Sequence, residues 1–215
     1  FGDLIGNSSV KEPVYIYSNA GDYNVILKAL SNKGCKDSIS KLISVYDLPT
    51  PYFTTIDSIC LGEHVYFTDL SFDDNASIDS WKWDFGDGNY SLEKNPIHLY
   101  SYSSIFNIFL EVKSSVGCSN DTLIKEDVYV FANPIADFSA SSFKSSELNS
   151  EIEFYNTSNG GEYVIWDFGN GKTANINNPI IQFESPGDYD VMLKIEDNQG
   201  CADTIYRVIN IYPEF

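Results

Sequence analysis

The sequence predicts an all-β chain of tandem β-sandwiches. Three observations carry that prediction: an internal repeat of about 83 residues, period-two alternation within each copy, and turn residues between the alternating runs. The repeat shows first in Trp83-Asp84-Phe85-Gly86-Asp87-Gly88, which recurs as Trp166-Asp167-Phe168-Gly169-Asn170-Gly171. The chain also begins Phe1-Gly2-Asp3. Pro13, Pro96 and Pro179 follow in step, then Tyr17, Tyr100 and Phe183, then Tyr23, Phe106 and Tyr189. Gly34-Cys35, Gly117-Cys118 and Gly200-Cys201 close the three copies. The spacing predicts the C-terminal half of one domain over 1–48 and whole domains over 49–133 and 134–215. Residue 1 falls inside a repeat, so the sequence reads as a piece of a longer chain, and the lack of a signal peptide says nothing about export.

Each element follows from its pattern. Tyr23, Val25, Leu27 and Ala29 alternate with Asn24, Ile26 and Lys28, and the runs from Phe106 and from Tyr189 do the same. Period two over seven residues predicts a strand with one buried face. Glycine turns at Asn32-Lys33-Gly34 and Asn198-Gln199-Gly200 lead into Ile39 to Tyr46 and Ile205 to Tyr212, which completes a hairpin. His64 to Thr68 and Glu151 to Tyr155 also alternate. A strand about every ten residues predicts roughly seven strands per two-sheet unit. Pro49-Thr50-Pro51 and Asn133-Pro134 mark stiff joints between units.

Composition narrows function. The 215 residues carry 13 Lys+Arg and 31 Asp+Glu, a net charge of −18. Such a surface repels phosphate backbones and anionic membranes, so neither nucleic acid nor direct membrane insertion is expected. A hydrophobic fraction of 43% supports packed cores rather than disorder.

Trp83 to Gly88, followed by Asn95-Pro96-Ile97-His98-Leu99-Tyr100 and an aromatic-led strand, resembles the PKD (polycystic kidney disease) domain. The resemblance covers nearly the whole chain and implies an immunoglobulin-like β-sandwich. It departs from the family pattern at Asn170, at Phe183 and at Leu4, which stands where a glycine belongs. The Gly-Cys turn followed by Asp-Ser/Thr, with Cys60-Leu61-Gly62-Glu63, resembles the PKD arrays of Bacteroidota surface adhesins of the SprB gliding-motility type, exported by type IX secretion. The resemblance implies a non-catalytic, extracellular, semi-rigid spacer or adhesin segment. Its partners would be neighbouring PKD domains of the same chain, surface glycans or other cell-surface proteins. The alternative is an accessory polysaccharide- or protein-binding module of a secreted hydrolase, since PKD domains also accompany chitinases and collagenases.

Candidate sites are few. No Ser-His-Asp, Cys-His or His-Glu-x-x-His pattern occurs, so no catalytic residue and no enzyme activity are expected. In the Trp-Asp-Phe-Gly-Asp-Gly motif the acidic residues read as turn formers and the glycines as positive-φ positions. Asn170 in place of Asp87 keeps that turn chemistry, so the lost charge is expected to go unnoticed. His98 aligns with Tyr15 and Ile181 and reads as a strand position; His64 opens a strand, half exposed. No cofactor is expected, with Ca²⁺ at Asp73 and Asp74 the one weak metal candidate, beside the plainer reading of a solvated loop. In an immunoglobulin-like sandwich Cys60 and the Gly-Cys turn lie at opposite poles, about 30 Å apart over ten strand residues. Across a joint the poles face each other. Cys60 is then expected to bond Cys201, with Cys118 paired to the equivalent loop of the first, truncated repeat and Cys35 to a still earlier domain. The alternatives are free thiols or another partner for Cys60. In the third copy Glu147 is taken to stand where Cys60 would. Asp-Ser/Thr-aliphatic triplets make Ser38, Ser58, Thr122 and Thr204 candidates for O-glycosylation, beside the reading that a short polar residue opens the last strand. Trp81, Tyr90 and Tyr102 lack repeat counterparts and are the candidates for stacking on sugars.

Overall fold

The computed structural model describes residues 1–214, with side chains described for all of these except 124–127. The first repeat supplies β1 (Gly21–Leu30) and β2 (Lys36–Val45). The second supplies β3 (Phe53–Thr54), β4 (Ser58–Cys60), β5 (His64–Tyr66), β6 (Thr68–Asp69), β7 (Ile78–Asp84), β8 (Tyr90–Ser91), β9 (Ile97–Leu99), β10 (Ser104–Ser114) and β11 (Ser119–Phe131). The third supplies β12 (Phe138–Ala140), β13 (Lys144–Ser146), β14 (Glu151–Asn156), β15 (Tyr163–Asp167), β16 (Thr173–Ala174), β17 (Ile180–Gln182), β18 (Gly187–Glu196) and β19 (Ala202–Tyr212). The one helical piece among the described residues is a 3₁₀ turn at Glu147–Asn149. No helix among them is long and apolar enough to cross a membrane.

The same five-strand order recurs, β4-β11-β10-β7-β8 and then β13-β19-β18-β15-β16. In each sheet the short first strand is parallel to its neighbour: Ser58, Ile59 and Cys60 lie opposite Tyr129, Val130 and Phe131, and Lys144, Ser145 and Ser146 opposite Asn210, Ile211 and Tyr212. By ladder position Cys60 therefore corresponds to Ser146, not to Glu147, which has left the strand for the 3₁₀ turn.

The fold divides into two compact units. One holds Phe1–Thr55, Tyr66–His98 and Phe106–Asp127; the other holds Ile56–Val65, Leu99–Ile105 and Val128–Phe215. In the first unit Phe53, Phe67, Trp83 and Phe85 are buried. Phe53 meets Trp83 edge-on at 5.1 Å and 73°, and Phe67 lies 5.1 Å from Phe85. The second unit repeats the cluster with Phe138 on Trp166 at 5.1 Å and 73°, and Phe154 at 5.1 Å from Phe168. Edge-to-face packing is the preferred geometry for such rings. Both indoles are fully buried, and each donates its N–H to a backbone carbonyl ten residues on, Glu93 or Ile176. Alternation drives the rest: along β18, Val191, Leu193 and Ile195 enter the core while Asp190, Met192 and Lys194 do not.

The β1–β2 hairpin departs from expectation. Its ladder is regular from Gly21↔Val45 to Leu30↔Lys36, yet Leu27 is 65% exposed and Ile39 69%. Alternation buries a face only where a second sheet covers it, and this sheet has two strands.

The turn after each motif tryptophan needs its first glycine for two reasons. Gly169 has φ +67°, and an added Cβ would stand 2.9 Å from the Asp190 carbonyl oxygen. Gly171, at φ +82°, has open space around it. Gly171→Ala then costs only left-handed backbone strain, about 1–2 kcal/mol, whereas Gly169→Ala adds a backbone clash and costs about 3 kcal/mol. Urea unfolding of the two variants side by side checks this; equal losses would remove the close approach as a cause.

Candidate functional site

Two constellations stand out from the cores. The first is the motif turn. Asp84 Oδ1 accepts the Gly86 N–H and Asp167 Oδ1 accepts the Gly169 N–H, both at 2.9 Å. Asp87 Oδ1 accepts the Asn89 N–H at 3.0 Å, and Asn170 Oδ1 accepts the Lys172 N–H at 3.0 Å. These are the side-chain-to-backbone bonds that close tight turns.

The remaining oxygen of Asp87 does something the sequence reading missed. His98 Nε2 lies 2.8 Å from Asp87 Oδ2, with the side chains 11% and 2% exposed. The imidazole stacks on Phe85 at 4.1 Å and 7°. In the first repeat Tyr15 donates its hydroxyl to Asp3 Oδ2, and its ring stacks on Phe1 at 4.1 Å and 4°. In the third, Asn170 stands at the Asp87 position and Ile181 at the His98 position, where it packs on the core. The acceptor and its partner change together: Asp with Tyr, Asp with His, Asn with Ile. The charge lost at Asn170 is therefore matched by a lost partner, and His98 is more than a strand position.

Electrostatics follow from these contacts. Burial pushes the Asp87 carboxyl up, but hydrogen bonds from the Asn89 side chain and backbone and from His98 outweigh it and hold the group below the usual carboxylate value. The Tyr15 hydrogen bond likewise holds Asp3 low, and Asp3 pushes the Tyr15 phenol up to about 12.

The second constellation is the disulfide between Cys60 and Cys201, whose Cα atoms are 5.5 Å apart. Both cysteines lie in the second unit. Cys201 closes the β18–β19 turn: Asp197 accepts its N–H through Oδ1 at 2.8 Å and donates its own N–H to the Cys201 carbonyl at 2.9 Å. Beside it, Asp203 Oδ2 accepts the Ala136 N–H at 2.8 Å. On the Cys60 side, the Leu61 N–H bonds the Phe131 carbonyl, and Asn133 Nδ2 donates to the Leu61 carbonyl, both at 2.9 Å. Ser31 and Ser114 close the turns of Cys35 and Cys118 by the same backbone bond that Asp197 makes. Cys35 is exposed and Cys118 half-buried, and the earlier segments expected to hold their partners lie outside the described residues.

The other sequence candidates are not brought together. Asp73 folds its Oδ1 onto the N–H groups of Asn75 and Ala76, while Asp74 is exposed. Among the described residues no three His, Cys, Asp or Glu side chains converge to hold a metal ion. His64 is exposed on β5. Trp81 is half-buried rather than presented to solvent, with Lys94 Nζ 5.4 Å from its ring centre; Tyr90 and Tyr102 are exposed. Ser38, Ser58 and Thr204 are exposed and Thr122 is half-buried.

Comparison with known proteins agrees with this architecture. A family model described as PKD domain matches residues 47–128 and 131–211. The pre-pro-metalloprotease PrtV of Vibrio cholerae serotype O1 is 29% identical over 150 residues, 67% of this chain and 16% of that protein. Collagenase ColQ1 of Bacillus cereus (strain Q1) is 31% identical over 101 residues, 46% of this chain and 10% of that protein. The chain thus spans only a small part of the curated relatives it matches. Among solved structures, the PKD1 domain of Vibrio anguillarum Epp is 26% identical, covering 40% of this chain and all of that one, with a TM-score of 0.36. With two family matches occupying most of its length, the chain belongs to the PKD domain family.

Proposed function

We propose that the chain is a non-catalytic, extracellular connecting module of a larger secreted hydrolase, with domains over 49–133 and 134–215 that hold the catalytic part near an insoluble protein substrate. The observation that supports this reading is the character of the relatives, a metalloprotease and a collagenase, matched only over a 16% or 10% share of their length. The physical means are ordinary. Two aromatic-cored sandwiches give fixed shape, and a net charge of −18 opposes self-association. Sedimentation of the 215-residue chain with insoluble fibrillar collagen, and separately with chitin, tests the role. Retention on collagen is expected; a chain that stays in the supernatant with both overturns it.

The disulfide supports a second reading, a spacer in a surface adhesin, because it links residue 60 of one repeat to residue 201 of the next. Under that reading neither polymer retains the chain.

A further inference from the structure

The covalent path through the second and third repeats does not follow the chain. Cys60 and Cys201 are 141 residues apart in sequence and one bond apart in the fold. Cys60 is the last residue of β4, and Cys201 immediately precedes β19. Strand backbone already rises about 3.3 Å per residue, close to the ~3.3–3.6 Å limit of a fully drawn chain. A pull applied ahead of β4 and beyond Tyr212 therefore meets a strand, a disulfide and a strand in series, a line with almost no slack.

We infer that Cys60–Cys201 is a load-bearing bypass. Tension that enters upstream of Cys60 leaves along β19, and the residues between the cysteines, which include Trp83, Trp166 and most of their core neighbours, are not stretched. Without the bond, the same tension runs through every residue of that segment, and each sandwich has to resist by its strand ladders alone.

The line is fixed in place along its length. β4 is held by its parallel ladder to Tyr129, Val130 and Phe131. β19 is held on one side by β18 from Gly187↔Ile211 to Glu196↔Ala202, and on the other by β13. Cys201 is 1% exposed and Cys60 is half-buried. Cys35 and Cys118, at the same turn in the other copies, form no disulfide among the described residues and add no second bypass there.

That tension reaches this chain in its setting rests on the connecting role proposed above; the bypass itself follows from connectivity. Single-molecule force spectroscopy on the 215-residue chain, held by its two ends with and without dithiothreitol, tests it. The reduced chain is expected to release about 500 Å more contour length than the oxidised one, in two steps, one for each sandwich. A C60S/C201S variant is expected to release the long length without reductant. Equal release from the oxidised and reduced wild-type chain overturns the inference, and that comparison stands even if the variant does not fold. A chain that ignores collagen but shows the length difference loses only the proposed role. A chain retained on collagen without the difference loses only the bypass.

Discussion

Reduction of Cys60–Cys201 lowers the thermal midpoints of both whole repeats, not of one. The reason lies in which loop the bond closes. When the second repeat unfolds alone, its chain remains tied at Cys60 to a folded third repeat and at Pro134 to its covalent continuation, a loop of roughly 70 residues. When the third repeat unfolds alone, the loop from the joint to Cys201 is of similar length. Chain entropy for such a loop amounts to about 4 kcal/mol, and measured disulfides usually deliver about 2–4 kcal/mol. A loss of about 3 kcal/mol in a domain of this size moves its midpoint by about 10–20 °C. Calorimetry with and without reductant reads the shift. A C35S/C118S background is the proper reference, because an exposed free thiol at Cys35 would exchange with the disulfide on heating. Serine at those two positions removes no bond, so the oxidised background unfolds where the wild type does. If only one transition moved on reduction, the bond would be a local staple of that repeat and the loop argument would fail.

Much of this was legible beforehand. The strands with seven or more alternating residues were legible because a half-buried sheet imposes period two, and β10 and β18 obey it. The Trp-Asp-Phe-Gly turn was legible because two rings two residues apart, followed by positive-φ glycines, leave little freedom. The parallel strands β4 and β13 were not, since three residues are too few to show a period. That blindness also misplaced the counterpart of Cys60 by one residue: the 3₁₀ turn at Glu147–Asn149 shifts the count, and only the ladder restores Ser146. The first hairpin alternates correctly and yet stays exposed, because burial depends on a facing layer that a strand pattern does not contain. The Asp87–His98 pair escaped for another reason. Its members lie eleven residues apart, one inside the recognisable motif and one outside, so no single pattern contains both. The joint change of Asp3 with Tyr15, Asp87 with His98 and Asn170 with Ile181 was visible in the three copies and carried the contact.

That joint change defines the second large effect. His98→Ile in the second repeat costs about 3 kcal/mol, and adding Asp87→Asn returns most of it. Removing one member of a buried pair leaves the other charged and short of a partner, a loss of about 3–5 kcal/mol in other proteins. The lower end applies because Asn89 keeps two bonds to Asp87, at 3.0 Å each. The double variant copies the third repeat, where Asn170 still bonds the Lys172 N–H and Ile181 packs on the core. Replacing both partners of a buried pair by groups that suit each other is commonly near neutral. Asp87 alone changed to Asn loses less than His98→Ile, since it leaves no buried carboxylate short of a partner. The pH dependence separates this pair from simple packing. Asp87 is held below its ordinary value of 3.8 in the fold, so its contribution is complete above that value and is lost as the pH falls through the depressed one. Wild type therefore sheds stability below pH 3.8 that the double variant does not. Urea unfolding of the four proteins at neutral pH and again in acid gives the coupling free energy directly. A coupling near zero at neutral pH, or one that does not shrink in acid, would mean that His98 supports the motif turn by the shape of its ring on Phe85 and not by its bond to Asp87.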